Sequence, residues 1–381
     1  MKKSLLMTTA LVAAFSATNV CAEDWTISSK ETITDEFISR DNVTVATGGD
    51  ITISGNNSGI ISNGNFTMED GSLTASSNGG SADTGVFVRG VSSSATIENG
   101  TINLTEARIA KGEEDTDTTG DVNISGGKIT LNNQAYIEMY DTNTGSVNLS
   151  GGELNINDNS GILLDGANNF TMTGGTLTAT SNGNSADTGV FVKGDGADVN
   201  IQDGNINLTD SRIYKGTITV ANGASLTSGD IAMKSENAKI DLLGKLNTNV
   251  NGSGNLCFKN SAANVSGNVT GSSLSFDTDH SLSKAIGGTI SNITALNVNK
   301  GTLTYDKDAS SIGNVSVAGG AGLDIGTNKL SATTVNFADN STLGLKITSA
   351  DNYGQINANT INIGNDTTMK VTLDNPRKPD N

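Results

Sequence analysis

Histidine occurs once in this chain, at His280, tryptophan once, at Trp25, and proline only twice, at Pro376 and Pro379. A single histidine excludes paired-histidine metal motifs, and no Gly-Asp-Ser-Gly nucleophile phrase accompanies it, so the sequence offers no secreted-protease machinery. Aromatics make up 4% of the 381 residues, and 23 Lys plus Arg face 40 Asp plus Glu, for a formal net charge of −17. A chain so acidic and so poor in rings has neither a basic stripe nor an aromatic ladder, which excludes nucleic acid and anionic lipid as partners.

Cysteine is nearly absent too, with only Cys21 and Cys257. Residues 1–22 read as a secretory signal peptide: Lys2 and Lys3, an apolar run from Leu5 to Ala17, then Val20-Cys21-Ala22 before Glu23. Val20 and Ala22 fill the two small-residue positions that a signal peptidase reads, and the run is too short and too N-terminal for a membrane anchor. Val20 stands where a lipoprotein site carries Gly, Ala or Ser, so Cys21 is not read as lipidated. Cleavage after Ala22 leaves Cys257 alone, which excludes an internal disulfide.

What the chain does have is glycine, 46 of them, set within alternating apolar residues. One phrase recurs: DVNISGGKITLNN at 121–133, SVNLSGGELNIND at 146–158 and DVNIQDGNINLTD at 198–210. Two alternating apolar residues precede a glycine step and two follow it, so each side reads as a short strand. Across the glycines Ile124 and Ile129, Leu149 and Leu154, Met172 and Leu177, and Ile201 and Ile206 are five apart. An odd spacing would put them on opposite faces of one straight strand, so the chain must bend there for both to face one interior. Gly permits the bend, and neighbouring Asn or Asp tolerates it.

Self-comparison shows a duplication. FTMEDGSLTASSNGGSADTGVFVRG at 66–90 realigns with FTMTGGTLTATSNGNSADTGVFVKG at 170–194 at a constant offset of 104 residues, from Phe66 to Phe170. Bends at Gly49, Gly71, Gly100, Gly127, Gly152, Gly175 and Gly204 recur every 22 to 29 residues, a spacing that suits a coil of three short strands. The expected fold is all-β, a right-handed parallel β-helix of about 14–16 coils of roughly 20–29 residues, stacked at about 4.8 Å into a rod on the order of 70 Å long. Its organisation reads as the signal peptide at 1–22, an N-terminal cap at 23–41 containing Trp25, and clear coils at 42–216 with a duplicated block (48–112 and 151–216). More divergent coils follow at 217–374, then a polar tail at 375–381. Recurrent Asn at the bends is expected to form hydrogen-bonded ladders between coils.

The pattern [V/I]-x-[I/L]-x-G-G-x-[I/L]-x-[I/L] over about 42–374, behind a Gram-negative type of signal peptide, resembles the passenger region of autotransporters, the type V secreted proteins. The resemblance implies an exported β-helix at the cell surface, in the outer membrane or in the medium, with periplasmic residence as the alternative. Passengers of that family continue into a β-barrel with aromatic girdles. No such strands are legible before Asn381, so the expectation is a passenger-like chain without its own translocator, or a truncated one.

Chemistry on a β-helix would be that of a polysaccharide lyase or hydrolase, which needs carboxylates clustered on one face with Arg, Lys or His beside them. The available charges come in duplicated pairs: Asp83 and Asp187, Arg89 and Lys193, Arg108 and Arg212, Lys111 and Lys215. Equivalent places in two copies are expected to be stacked surface decoration. Cys257 reads as a small buried apolar residue and His280 as a solvated turn residue. Glu113, Glu114, Asp115 and Asp117 read as a solvated acidic loop without the fixed Gly and terminal Glu of a calcium site. Lys193-Gly194-Asp195 resembles an integrin-type tripeptide, but its counterpart is Arg89-Gly90-Val91. No catalytic residue, cofactor or metal site is assigned. The sequence points to an adhesin-like or structural protein whose partners are host or bacterial surface glycans or proteins.

Overall fold

The five-residue spacing across the glycines is a bend in the backbone. Gly71, Gly100, Gly127, Gly152, Gly175 and Gly204 all have positive φ, from 73° to 95°; at the first bend the left-handed residue is Gly48, not Gly49. The bends stack, so that a Cβ on Gly127 would lie 2.6 Å from the Gly100 carbonyl oxygen of the preceding coil. Gly127→Ala is therefore expected to cost about 2 kcal/mol or more, from backbone strain and forced separation of two coils. Thermal unfolding would show a lowered midpoint; an unchanged one would mean the bend is not fixed.

This computed structural model describes residues 23–77, 83–112, 116–181, 188–192, 197–209, 212–214, 217–233, 236 and 238–374. The signal peptide read at 1–22 and the tail at 375–381 lie outside the described residues. Between them the chain winds as a parallel β-solenoid of about 14 turns, 61% strand and 1% helix. Early coils carry three short strands, such as Val43–Val45, Asp50–Ser54 and Gly59–Ser62. The first two strands of each such coil belong to a 28-stranded sheet and the third to an eight-stranded one. From Asn169–Thr180 onward some coils run the first two strands together through the bend. Beyond His280–Ser281 a six-stranded sheet forms the opposite wall.

One inward column passes from Trp25 through Val43, Phe66, Ala95 and Val122 to Ile361, each residue in register with the next. Like stacks on like: the rings of Phe258 and Phe276 lie 4.8 Å apart and nearly parallel. Phe66 and Phe170 stand four coils apart in the first column, so the duplicated unit is four coils. Residues 25–40 already form three strands in register with the coil that follows, and the Arg40 guanidinium lies 5.4 Å from the Trp25 ring.

The recurrent Asn and Asp at the turns connect coil to coil. Asp24 Oδ1 accepts from the Asn42 backbone N–H, Asn42 Oδ1 from Asn65, Asn65 Oδ1 from Ser94, Ser94 Oγ from Asp121 and Asp121 Oδ1 from Ser146. Each side chain satisfies a donor that the strand ladder leaves open at its entry. Side-chain amides also pair directly, as Asn148 Nδ2 to Asn123 Oδ1 and Asn157 Nδ2 to Asn132 Oδ1, both at 2.9 Å.

Candidate functional site

The alternation that turns apolar residues inward presents a second set of columns on the outer face of the long sheet. One holds Thr26, Thr44, Thr67, Thr96, Asn123, Asn148, Thr171, Asn200 and Thr219 in register. The next, one strand over, holds Thr32, Thr52, Thr74, Asn103, Thr130, Asn155, Thr178, Asn207, Thr227 and Asn247. Neither contains a charge over these residues; beyond Thr219 the first column continues in register to Asp241, which is ion-paired with Lys239 and Lys259. Hydroxyl and amide groups therefore repeat at about 4.8 Å along the rod. Such a face can engage many partner hydroxyls or amides through neutral hydrogen bonds. Charges begin at its margin, where Lys128 and Glu153 form an exposed pair at 3.6 Å.

The eight-stranded sheet is different. Its strands Gly59–Ser62, Gly85–Val88 and Arg108–Lys111 are buried at every residue, so both faces are covered. On the outward side Ile61, Phe87 and Ala110 form a small apolar cluster with Phe37 and Tyr140 packed on it. Arg108 lies on this side, buried, and its Nη1 donates to both the Glu138 carboxylate and the Tyr140 hydroxyl. Burial and the Glu138 charge push the Tyr140 phenol up, against the opposing pull of Arg108, and the Asp83 carboxylate adds to the rise. Asp83, Arg108, Glu138 and Tyr140 thus share one neighbourhood. Arg89 stands over the Phe87 ring at 6.0 Å.

Arg108 and Lys111 are not the surface decoration expected from the sequence, for both are buried. Lys111 faces inward and is wholly buried, with Nζ donating to the Gly90 carbonyl at 3.1 Å. Burial lowers its pKa to about 8. Because the folded amine binds its proton less tightly than the unfolded one, unfolding takes up a proton between about pH 8 and 10.5. Stability on this account rises with pH across that window, by about 3 kcal/mol in total. Lys111→Met fills the same volume, and Gly90 keeps its bonds from Ser93. The variant should be the more stable below pH 8, with the difference vanishing by pH 10.5. Parallel denaturation curves at every pH would refute the burial. The equivalent Asp187, Lys193 and Lys215, the side chain of Arg212, and the 193–195 tripeptide all lie outside the described residues.

His280 is likewise not a solvated turn residue. It points inward, 7% exposed, and meets the rings of Phe258 and Phe276 edge-on at 5.5 and 5.9 Å. Its Nε2 lies 2.9 Å from the Ala263 carbonyl and its Nδ1 accepts from the Ser281 N–H, so both nitrogens are used by backbone. Outside it, a depression of about 380 Å³ is lined by Asp279, Lys284, Thr302 and Thr304. A second, of about 260 Å³, shares Thr302 and continues past Asp324 to Lys346 and Lys370.

Cys257 is buried, as the sequence suggests, but it lies on the outward side of its strand beside Asp277. Burial, then the Asp277 charge, pushes its thiol up to about 11. Alkylation at pH 8 is expected to be at least about 100-fold slower in the folded protein than after denaturation; comparable rates would contradict this environment. Lys259 bridges Asp277 and Asp241 above it. Of the acidic loop, Glu113, Glu114 and Asp115 lie outside the described residues; among those described, no three His, Cys, Asp or Glu residues are placed to hold a metal ion.

Glu138 and Tyr140 do not stand out in the sequence, because the duplication does not repeat them. The signal that could have found them is the loss of alternation in GIIS, GVFV and RIAK, which marks strands covered on both faces.

No family model, no curated protein and no solved structure matches this chain. Its fold is therefore argued from its own strand registers. Among the described residues no helix is long and apolar enough to cross a membrane.

Proposed function

We infer that this is an exported, surface-associated or secreted β-helix with an adhesin-like or structural role, similar in build to an autotransporter passenger. The observation that carries the reading is the pair of Thr and Asn columns, which run side by side without a charge from Thr26 to Thr219 and from Thr32 to Asn247. The signal-peptide pattern at 1–22 and the passenger-like phrases support export. Surface glycans suit such a face, since their hydroxyls match a periodic array of neutral donors and acceptors. Each contact is weak, and the sum over many coils supplies avidity.

Immobilised surface polysaccharides probed with the purified chain test this. A variant carrying Thr74→Lys, Thr130→Lys and Thr178→Lys in one outward column should keep its fold and lose binding by tenfold or more. Binding that is absent, or is indifferent to those lysines, would overturn the assignment.

A polysaccharide-modifying activity is the second reading, favoured by the convergence of Asp83, Glu138, Arg108 and Tyr140. Against it, Arg108 is already ion-paired and the raised phenol keeps its proton, so neither is a ready base. Turnover of an acidic polysaccharide that disappears in Asp83→Asn and Glu138→Gln would establish this reading instead.

A further inference from the structure

Glycine in a strand loses conformational entropy and packs no side chain, so its presence needs a cause. Along most of this solenoid the cause is visible: Gly127 has positive φ, and a Cβ on Gly151 would lie 2.2 Å from the Ser125 carbonyl oxygen. Gly322, in the strand Gly322–Asp324 of the six-stranded sheet, has neither. A Cβ there would meet only side chains, Thr302 Oγ1 at 3.1 Å and Thr342 Cβ at 3.6 Å. Those two threonines are its register partners in the coils before and after. Threonine stacks directly on threonine elsewhere in this chain, at Thr44, Thr67 and Thr96. A threonine at 322 would complete such a file, and glycine instead leaves a hollow in the outer face of the wall.

One column over, Gly344 makes room for a side chain. A Cβ on Gly344 would lie 2.8 Å from Asp324 Cγ and Oδ1, so glycine there gives the carboxylate the space it occupies. Asp324 Oδ1 also accepts from the Gly326 N–H at 2.9 Å, which fixes the group beside the hollow. Lys370 follows Asp324 and Gly344 in the same outward column. It makes no ion pair among the described residues, whereas Lys346 is held by Asp374. Thr302, Gly322, Asp324, Thr342, Gly344 and Lys370 together line a space of about 260 Å³. That space opens sideways from the wall, and Gly322 lies two coils before the last strand.

A fixed carboxylate, two threonine hydroxyls and one unpaired ammonium select a ligand by its chemistry. The carboxylate repels phosphate and sulfate and accepts from hydroxyls, while the ammonium favours a single negative charge. A hexuronate carries both features, ring hydroxyls and one carboxylate. We propose that this hollow is a binding site for one hexuronate residue of an acidic glycan. The sugar ring lies over Gly322 between Thr302 and Thr342, its hydroxyls donate to Asp324, and its carboxylate accepts from Lys370. The site is on a different sheet from the Thr and Asn columns and does not depend on what they bind.

Ligand-observed NMR of the purified chain with methyl glucuronoside and methyl galacturonoside, each against its neutral glycoside, tests this. At least one uronoside should bind saturably in the millimolar range, and its neutral counterpart about tenfold more weakly. Lys370→Gln should remove that preference. Gly322→Thr should abolish binding yet unfold at a temperature no lower than the parent's, since the fold does not require glycine there. The variant with Thr74→Lys, Thr130→Lys and Thr178→Lys should bind the uronoside as the parent does, which separates this site from the other face. The proposal is overturned if neither uronoside binds, if the preference survives Lys370→Gln, or if binding survives Gly322→Thr. A lowered unfolding temperature in Gly322→Thr, or loss of uronoside binding in the triple lysine variant, overturns it equally.

Discussion

Ile129→Asp is expected to abolish the cooperative unfolding of the coils around it. Ile129 is 0% exposed and lies in register between Ile102 and Leu154, with apolar neighbours above and below. A carboxylate there has no partner and no route to water except by opening the strand. The loss should exceed about 4 kcal/mol, in the range reserved for buried unpaired charges. In a solenoid each coil contacts mainly its neighbours, so damage should centre on residues 101–157 and leave distant coils folded. Hydrogen exchange would show protection lost there and kept near Val315. Native protection around Ile129 in the variant would mean the inward assignment is wrong. Leu208→Asp should act the same way in the second copy of the repeat, where Leu208 pairs with Ala179.

Glu138→Ala is expected to cost about 3–5 kcal/mol, because it leaves the Arg108 guanidinium buried with its charge uncompensated. Glu138→Gln keeps an acceptor for Arg108 and should cost less. Replacing both partners by apolar residues, as in Arg108→Met with Glu138→Leu, should recover most of the loss. Denaturant midpoints of the three variants measure this directly. If the double variant were as unstable as Glu138→Ala, the cost would come from packing against Ala110 and Leu163, the register neighbours of Glu138, and not from the unpaired charge.

Most of the fold was legible because one rule repeats. Apolar residues five apart across a glycine require a bend, and Gly100, Gly127 and Gly152 supply it by positive φ. The same alternation names inward residues such as Ile124 and Leu131 without knowledge of the partner strands. What the rule missed are positions where a strand is covered twice. Arg108-Ile109-Ala110-Lys111 shows no alternation, and there a charge can be buried on either side. Arg108 finds a carboxylate from the next coil, 30 residues away, and Lys111 finds a carbonyl 21 residues back. Duplication disguised them, since equivalent charges in two copies look like a surface pattern. The sequence around His280 is deceptive for a related reason. A polar residue flanked by Asp279 and Ser281 resembles a turn, yet it stands inward in register with Leu303.

The candidate face was legible only in outline. Thr and Asn abundance is visible in composition, but that they fall into two files, uncharged as far as Thr219 and Asn247, depends on register. Coil lengths vary from one turn to the next, so counting residues does not reveal which Thr lies above which.

Export to the cell surface is tested most directly by locating the chain in its own cell, through fractionation combined with protease treatment of intact cells. A surface passenger should be degraded by added protease without lysis, or recovered from the medium, with residues 1–22 removed. A chain that stays in the cytoplasm with Met1–Ala22 still attached would contradict the account.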